Sequence, residues 1–123
     1  MTLITDALLS LVIPLYNEED NVALLTQKIH ESLHGYRYQI IYIDDSSQDG
    51  TRAVIDRMQD ENVHLIALKK NYGQSLALAA GIDYAEGEYI ITMDGDLQND
   101  PADIPKMLAE VVNGEYDVVT GIR

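Results

Sequence analysis

The chain has 123 residues, 21 acidic against 8 basic side chains, a formal net charge of −13 and 46% hydrophobic content. That length fits a single domain with a core of its own. The charge argues strongly against nucleic acid or an anionic membrane as partner, because no basic stripe exists to meet phosphates. The absence of Cys excludes disulfides, thiolate metal sites and thiol catalysis.

The first apolar run, residues 7–13, stops at Pro14. It is shorter than the ~20 residues of a membrane span, and no basic segment precedes it as in a signal peptide. The expected location is cytoplasmic, at the cytoplasmic face of a membrane if a longer parent carries an anchor. Phe and Trp are absent while Tyr occurs 8 times, and Tyr16, Tyr42 and Tyr72 read as positions where Phe would pack equally well.

Residues 9–14 form a continuous apolar run and predict a strand. Over 18–33, Val22, Leu25, Ile29 and Leu33 recur at helical spacing, with Asn17 as expected N-cap. A β-rich run over 38–43 ends abruptly at Asp44-Asp45, and a helix is expected over 51–59, capped by Asp49. Residues 63–68 predict a third strand and 74–85 an Ala- and Leu-rich helix. A fourth strand is expected over 88–93, a helix over 101–113 closed by Gly114, and a short strand over 117–121. Alternating strands and helices imply a parallel sheet with right-handed crossovers. Strands apolar on both faces imply helices on both sides. The expected fold is a single three-layer α/β Rossmann-like domain over residues 1–123.

The polar residues collect after the strands: 14–19, 44–50, 69–74, 94–98 and Arg123. In a parallel sheet these segments share the carboxyl edge, where open α/β sheets bind ligands at the point of strand-order reversal. Asp94-Gly95-Asp96 is the sharpest cluster. Two carboxylates at ~6 Å repel by about 1–3 kcal/mol, and a hard cation such as Mg²⁺ or Mn²⁺ reverses that sign, taking one or two carboxylates plus ligand phosphates. Gly95 allows a sharp turn, and Gln98 adds a neutral oxygen. An EF-hand is excluded, because Asn99 stands at its sixth position and Pro105 at its twelfth.

Asp44-Asp45 suits either hydrogen bonds from a nucleobase and ribose or an acidic cluster at the following helix N-terminus. Lys69 and Lys70 suit either diphosphate neutralisation or solvated charges ending a strand. No Gly-x-Gly-x-x-Gly and no Gly-Lys-Ser/Thr is present, so a metal rather than a glycine-rich loop is expected to hold phosphates. His30, His34 and His64 fall outside the edge clusters and read as structural or surface residues.

Leu11-Val12-Ile13-Pro14-Leu15-Tyr16-Asn17-Glu18-Glu19, Ile43-Asp44-Asp45-Ser46-Ser47-Gln48-Asp49-Gly50-Thr51 and Met93-Asp94-Gly95-Asp96-Leu97-Gln98-Asn99-Asp100-Pro101 together resemble family 2 glycosyltransferases of the GT-A fold. The resemblance points in particular to polyprenyl- and dolichol-phosphate sugar transferases. Asn71-Tyr72-Gly73-Gln74 and the helix to Gly81 match as well. The resemblance implies that Pro14, Tyr16 and Glu18 line a nucleotide pocket and that Ile43 and Asp45 contact base and ribose. It implies a metal–diphosphate site of Asp94, Gly95, Asp96 and Gln98, with Asp96 the main ligand, and an Arg123 that neutralises donor phosphate.

The implied activity is metal-dependent, inverting transfer from a UDP- or GDP-sugar, with a polyprenyl phosphate as acceptor and Mg²⁺ or Mn²⁺ as cofactor. The acceptor half of the family pattern would follow Arg123. A nucleotide-diphosphate and metal-binding module without turnover is the competing reading, and an uncovered sheet edge suggests a homodimer. A phospho-receiver domain is disfavoured, since its acidic pair follows the first strand and its Lys the fifth.

Overall fold

A computed structural model describes residues 6–112 and 118–119. The elements run β1 (Leu8–Leu15), α1 (Val22–Ser32), β2 (Arg37–Asp44), α2 (Thr51–Met58), β3 (Val63–Ala67), α3 (Gln74–Tyr84), β4 (Tyr89–Thr92), α4 (Ile104–Val112) and β5 (Val118–Val119). All four strand pairings are parallel, in the order β3-β2-β1-β4-β5. The chain steps outward from β1 to β3, then crosses back to lay β4 on the other side of β1. The strand order therefore reverses between β1 and β4, and their following loops part there to leave a crevice.

The alternation of β1 divides the core. Leu9, Leu11, Ile13 and Leu15 pack with Ile40 and Tyr42 under Val22, Leu25, Ile29, Ile55, Ile104 and Leu108, from α1, α2 and α4. Val12, Ile41 and Ile43 face the other way, against Ala77 of α3. Two buried faces explain why β1 and β2 read as unbroken apolar runs. α3 lies close to the sheet because Gly81 has no side chain: a Cβ there would stand 2.4 Å from Val12 Cγ1 and 2.5 Å from Ile43 Cδ1. The expected three-layer α/β fold is the one observed.

Several local expectations change. α1 begins at Val22, and Asn17 is not its cap. Asn17 instead has φ 53°, and its Oδ1 accepts the Gln48 amide at 2.8 Å. Gly50, not Asp49, is the N-cap position of α2, although Asp49 Oδ1 still accepts the Thr51 amide at 2.9 Å. The fourth helix opens as a 3₁₀ turn, Pro101–Asp103, capped by Asp100 accepting from the Ala102 amide. Gly114 lies outside the described residues.

Tyr42 is not interchangeable with Phe. It is fully buried, and its hydroxyl lies 2.6 Å from Thr26 Oγ1. Thr26 donates its own proton to Val22 O at 2.8 Å, so Tyr42 is the donor. Burial pushes the phenol well above the ordinary tyrosine value. Tyr16 and Tyr72 are exposed rather than packed. His30 joins the Tyr38 hydroxyl to Asp60 on the α1 flank, and His64 meets the Tyr84 hydroxyl at 3.1 Å. Both therefore serve structure. Among the described residues, no helix is long and apolar enough to cross a membrane.

Candidate functional site

The carboxyl ends of β1, β2 and β4 and the loop after β3 enclose a cavity of about 590 Å³. Pro14, Tyr16, Glu18, Asp45, Asp94, Gly95, Asp96 and Gln98, all singled out from the sequence, line it. Leu15, Asn71, Gly73, Gln74 and Asn99, which stood within the matched motifs but were given no role, line it too.

Two loops are clamped together beneath the rim. The Asn17 amide donates to Ser47 Oγ at 2.9 Å, and the Glu18 amide to Thr51 Oγ1 at 2.9 Å. In exchange, the Gly50 amide donates to Glu19 Oε2 at 3.1 Å. The Glu19 amide donates to Asp49 Oδ2 at 3.2 Å. Desolvation opposes ionisation of Asp49, but bonds from Thr51 and Glu19 outweigh it and hold the carboxyl below its ordinary value. This exchange satisfies backbone donors in the β1–α1 loop and at the N-cap of α2 and fixes Tyr16 and Glu18 relative to the end of β2.

Asp44 ends β2, Asp45 lies just past it, and the two carboxylates hold different partners. Asp44 is fully buried. It accepts from Ser47 Oγ and N, and from Arg52 Nε at 2.5 Å. Arg52 also reaches Leu68 O at 2.9 Å. A buried carboxylate with this many donors is a structural anchor. Asp45 lines the cavity, and each of its oxygens takes one backbone amide: Tyr72 N at 2.8 Å and Gly73 N at 3.0 Å. The acidic pair thus holds the β2–α2 and β3–α3 loops, a role beyond both readings of the sequence.

The loop after β4 folds against the end of β1. At Gly95 a Cβ would lie 2.3 Å from Leu15 Cδ2 and 3.2 Å from Pro14 O. Close packing, not a left-handed turn, requires glycine there; the left-handed residue is Leu97, at φ 66°. The buried Asn99 closes the loop, accepting the Asp94 amide on Oδ1 at 2.8 Å.

Asp94 Oδ1 accepts from Gln74 Nε2 at 3.3 Å, and Asp96 Oδ1 accepts the Gln98 amide at 3.1 Å. Among the described residues, no hydrogen bond uses Oδ2 of either acid. Glu18, Asp45, Asp94 and Asp96 face the cavity, and no Lys or Arg among the described residues lines it. Lys69 and Lys70 are solvent-exposed. Carboxylates on such a wall repel an anionic diphosphate, and a cation would offset that repulsion. Asp94, Asp96 and Gln98 form a hard-oxygen set that fits Mg²⁺ or Mn²⁺ sharing its remaining positions with phosphate and water. Among the described residues, no group of three or more His, Cys, Asp or Glu could hold a metal by itself.

Two expected site residues stand apart. Ile43 does not line the cavity: its side chain is fully buried beneath α3, because its place in β2 turns it to that face. Arg123 lies outside the described residues.

The comparisons agree with this geometry. Residues 10–123 match the model of Glycosyl transferase family 2. Dodecaprenyl-phosphate galacturonate synthase of Rhizobium johnstonii is 42% identical over 121 residues, covering 94% of this chain and 36% of that protein. A mannosyltransferase from Pyrobaculum calidifontis, solved in complex with GDP-Man and Mn²⁺, has a TM-score of 0.70 at 22% identity, covering 86% of this chain and 31% of that one. Glucosyl-3-phosphoglycerate synthase from Mycobacterium tuberculosis, solved in complex with Mn²⁺, UDP and glucosyl-3-phosphoglycerate, has a TM-score of 0.73 at 20% identity, covering 89% and 41%. The chain spans 36% of the curated relative's length, and the structural likenesses establish the Rossmann-like GT-A fold. With the family pattern running through nearly every residue from β1 onward, the chain belongs to glycosyl transferase family 2.

Proposed function

We propose that this chain is the donor-binding unit of a glycosyltransferase that takes a nucleotide-diphosphate sugar with a divalent cation and passes the sugar to a polyprenyl phosphate. The observation that carries this reading is the cavity at the β1/β4 crevice, walled by four carboxylates and no described Lys or Arg. Such a wall selects a diphosphate only when a cation comes with it. The name of the 42% identical relative supports a polyprenyl-phosphate acceptor. Neighbours solved with GDP-Man or UDP and Mn²⁺ support the donor class and the ion.

In this reading Pro14, Tyr16 and Glu18 flank the nucleoside, and Asp45 keeps the Asn71–Gly73 side of the pocket in place. Asp94, Asp96 and Gln98 hold the cation, which supplies positive charge for the departing diphosphate. Gly95, without a side chain, keeps the loop carrying these ligands seated on β1. Arg123 is assigned to donor phosphate from the family resemblance alone.

The acceptor phosphate is already ionised near neutral pH, so no protein base is required. Its oxygen forms a bond to the anomeric carbon while the bond to the diphosphate oxygen breaks. Attack opposite the leaving group inverts the anomeric centre.

Calorimetric titration tests donor binding directly. UDP or GDP should bind saturably in Mn²⁺ and much more weakly in chelator, while the bare nucleoside should be indifferent to the ion. Equal binding with and without Mn²⁺ would remove the cation from the reading.

A further inference from the structure

Gln74 is the first residue of α3, and its side chain is directed toward the end of β4. Its Nε2 donates to Asp94 Oδ1 at 3.3 Å. The residue is itself held in place. Tyr72 and Gly73 hang by their amides from Asp45, Gly73 takes φ 95°, and Gly73 O accepts the Ala77 amide at 3.1 Å to start the helix. A continuous line of contacts therefore runs from the end of β2 through Gly73 and Gln74 to Asp94. On the other side, buried Asn99 holds the Asp94 amide at 2.8 Å.

Asp94 is fixed at both backbone and side chain by residues outside its own dipeptide. Among the described residues, Asp96 has one side-chain hydrogen bond, from the Gln98 amide two residues along the same turn, and it is exposed while Asp94 is half-buried. An amide is the donor this task requires. Lys or Arg in place of Gln74 would pair with the carboxylate and compete with a cation. An amide occupies one oxygen without neutralising the acid; Asp94 lines the cavity, and among the described residues no hydrogen bond uses its other oxygen.

We propose that Gln74 is a positioning residue for Asp94, orienting its carboxylate so that Oδ2 is presented to the cation. This rests on the reading of the cavity as a cation–diphosphate site. Gln74 is exposed, so its replacement leaves the core untouched.

Mn²⁺ binding in the presence of UDP and of GDP is read by water-proton relaxation, which detects weak sites. The chains compared are the unmodified protein, Gln74→Ala, Asp94→Asn and the double variant. Leu76→Ala, on the exposed side of the same helix, serves as control. Gln74→Ala should weaken Mn²⁺ binding by roughly ten-fold, the low end for a residue that orients a metal ligand, with an unchanged thermal midpoint. In the Asp94→Asn background the same change should alter affinity by less than about two-fold, because the coupling partner is gone. Equal losses in both backgrounds, or no loss from Gln74→Ala, overturn the proposal. Asp96→Ala separates the two levels. If it leaves Mn²⁺ binding intact, the cation reading falls and the role of Gln74 falls with it. If it removes Mn²⁺ binding while Gln74→Ala is silent, only the role of Gln74 falls.

Discussion

The carboxylate of Asp45 accepts the amide of Gly73 at 3.0 Å across 28 residues of chain. With the Tyr72 amide on its other oxygen at 2.8 Å, Asp45 joins the end of β2 to the start of α3. The sequence left Asp45 as either a nucleobase and ribose contact or part of an acidic cluster before α2. The structure adds this tether, and bonds to a charged, mostly buried acceptor contribute about 1.5–3 kcal/mol each. Asp45→Ala is therefore expected to lower unfolding free energy by about 3–6 kcal/mol, the sum for two such bonds. Chemical denaturation measures the loss, and amide exchange should show Tyr72 and Gly73 losing protection first. A change within ~0.5 kcal/mol, the range of an ordinary surface substitution, would mean that the loop is held by other contacts.

Asp96 makes the opposite prediction. It is exposed, and among the described residues its one side-chain hydrogen bond is local. Asp96→Ala should change stability by no more than ~0.5 kcal/mol while removing most of the Mn²⁺-dependent affinity for UDP or GDP. Paired calorimetry and thermal melts decide this. A large drop in Tm with affinity retained would make Asp96 a structural residue.

Gly95→Ala should act through Leu15. The new Cβ would lie 2.3 Å from Leu15 Cδ2 and 3.2 Å from Pro14 O. The leucine methyl can move but the carbonyl cannot, so the expected cost is about 1–3 kcal/mol, as for other overpacked sites. Leu15 also lines the cavity, and nucleotide affinity should fall along with stability. Restored stability in a Gly95→Ala, Leu15→Val pair would identify the clash as the cause.

Tyr42 predicts an alkaline signature. Its phenol is raised by burial, so the unfolded chain releases this proton near pH 10 while the folded chain retains it. Stability from this group is full below about pH 10 and declines above it, by up to ~1.4 kcal/mol per pH unit. Tyr42→Phe should cost about 1 kcal/mol at neutral pH for the lost bond to Thr26 and flatten the stability decline above pH 10. Tyr38 is raised by burial as well, so some slope should persist. An unchanged slope in Tyr42→Phe would show that the hydroxyl is reached by solvent.

The elements and their parallel arrangement were legible in the chain, because continuous apolar runs, helical spacing and polar punctuation are local properties. The gathering of 14–19, 44–50 and 94–98 at one edge followed from parallel strands alone, and eight of the residues to which the family resemblance gave a role there line the cavity. Contacts between segments distant in sequence decided the rest. Asp44 and Asp45 are neighbours in sequence, yet the fold buries one beside Arg52 and joins the other to the loop before α3. Ile43 matched the family pattern, but its place in β2 sets its side chain beneath α3. Gln74 and Asn99 stood within the matched motifs without a role of their own, because a glutamine at a helix start acquires a role only when β4 is laid beside β1 and brings Asp94 within its reach. The physical reason is the same in each case. Periodicity states which residues share a face, and only the packed sheet states what that face meets.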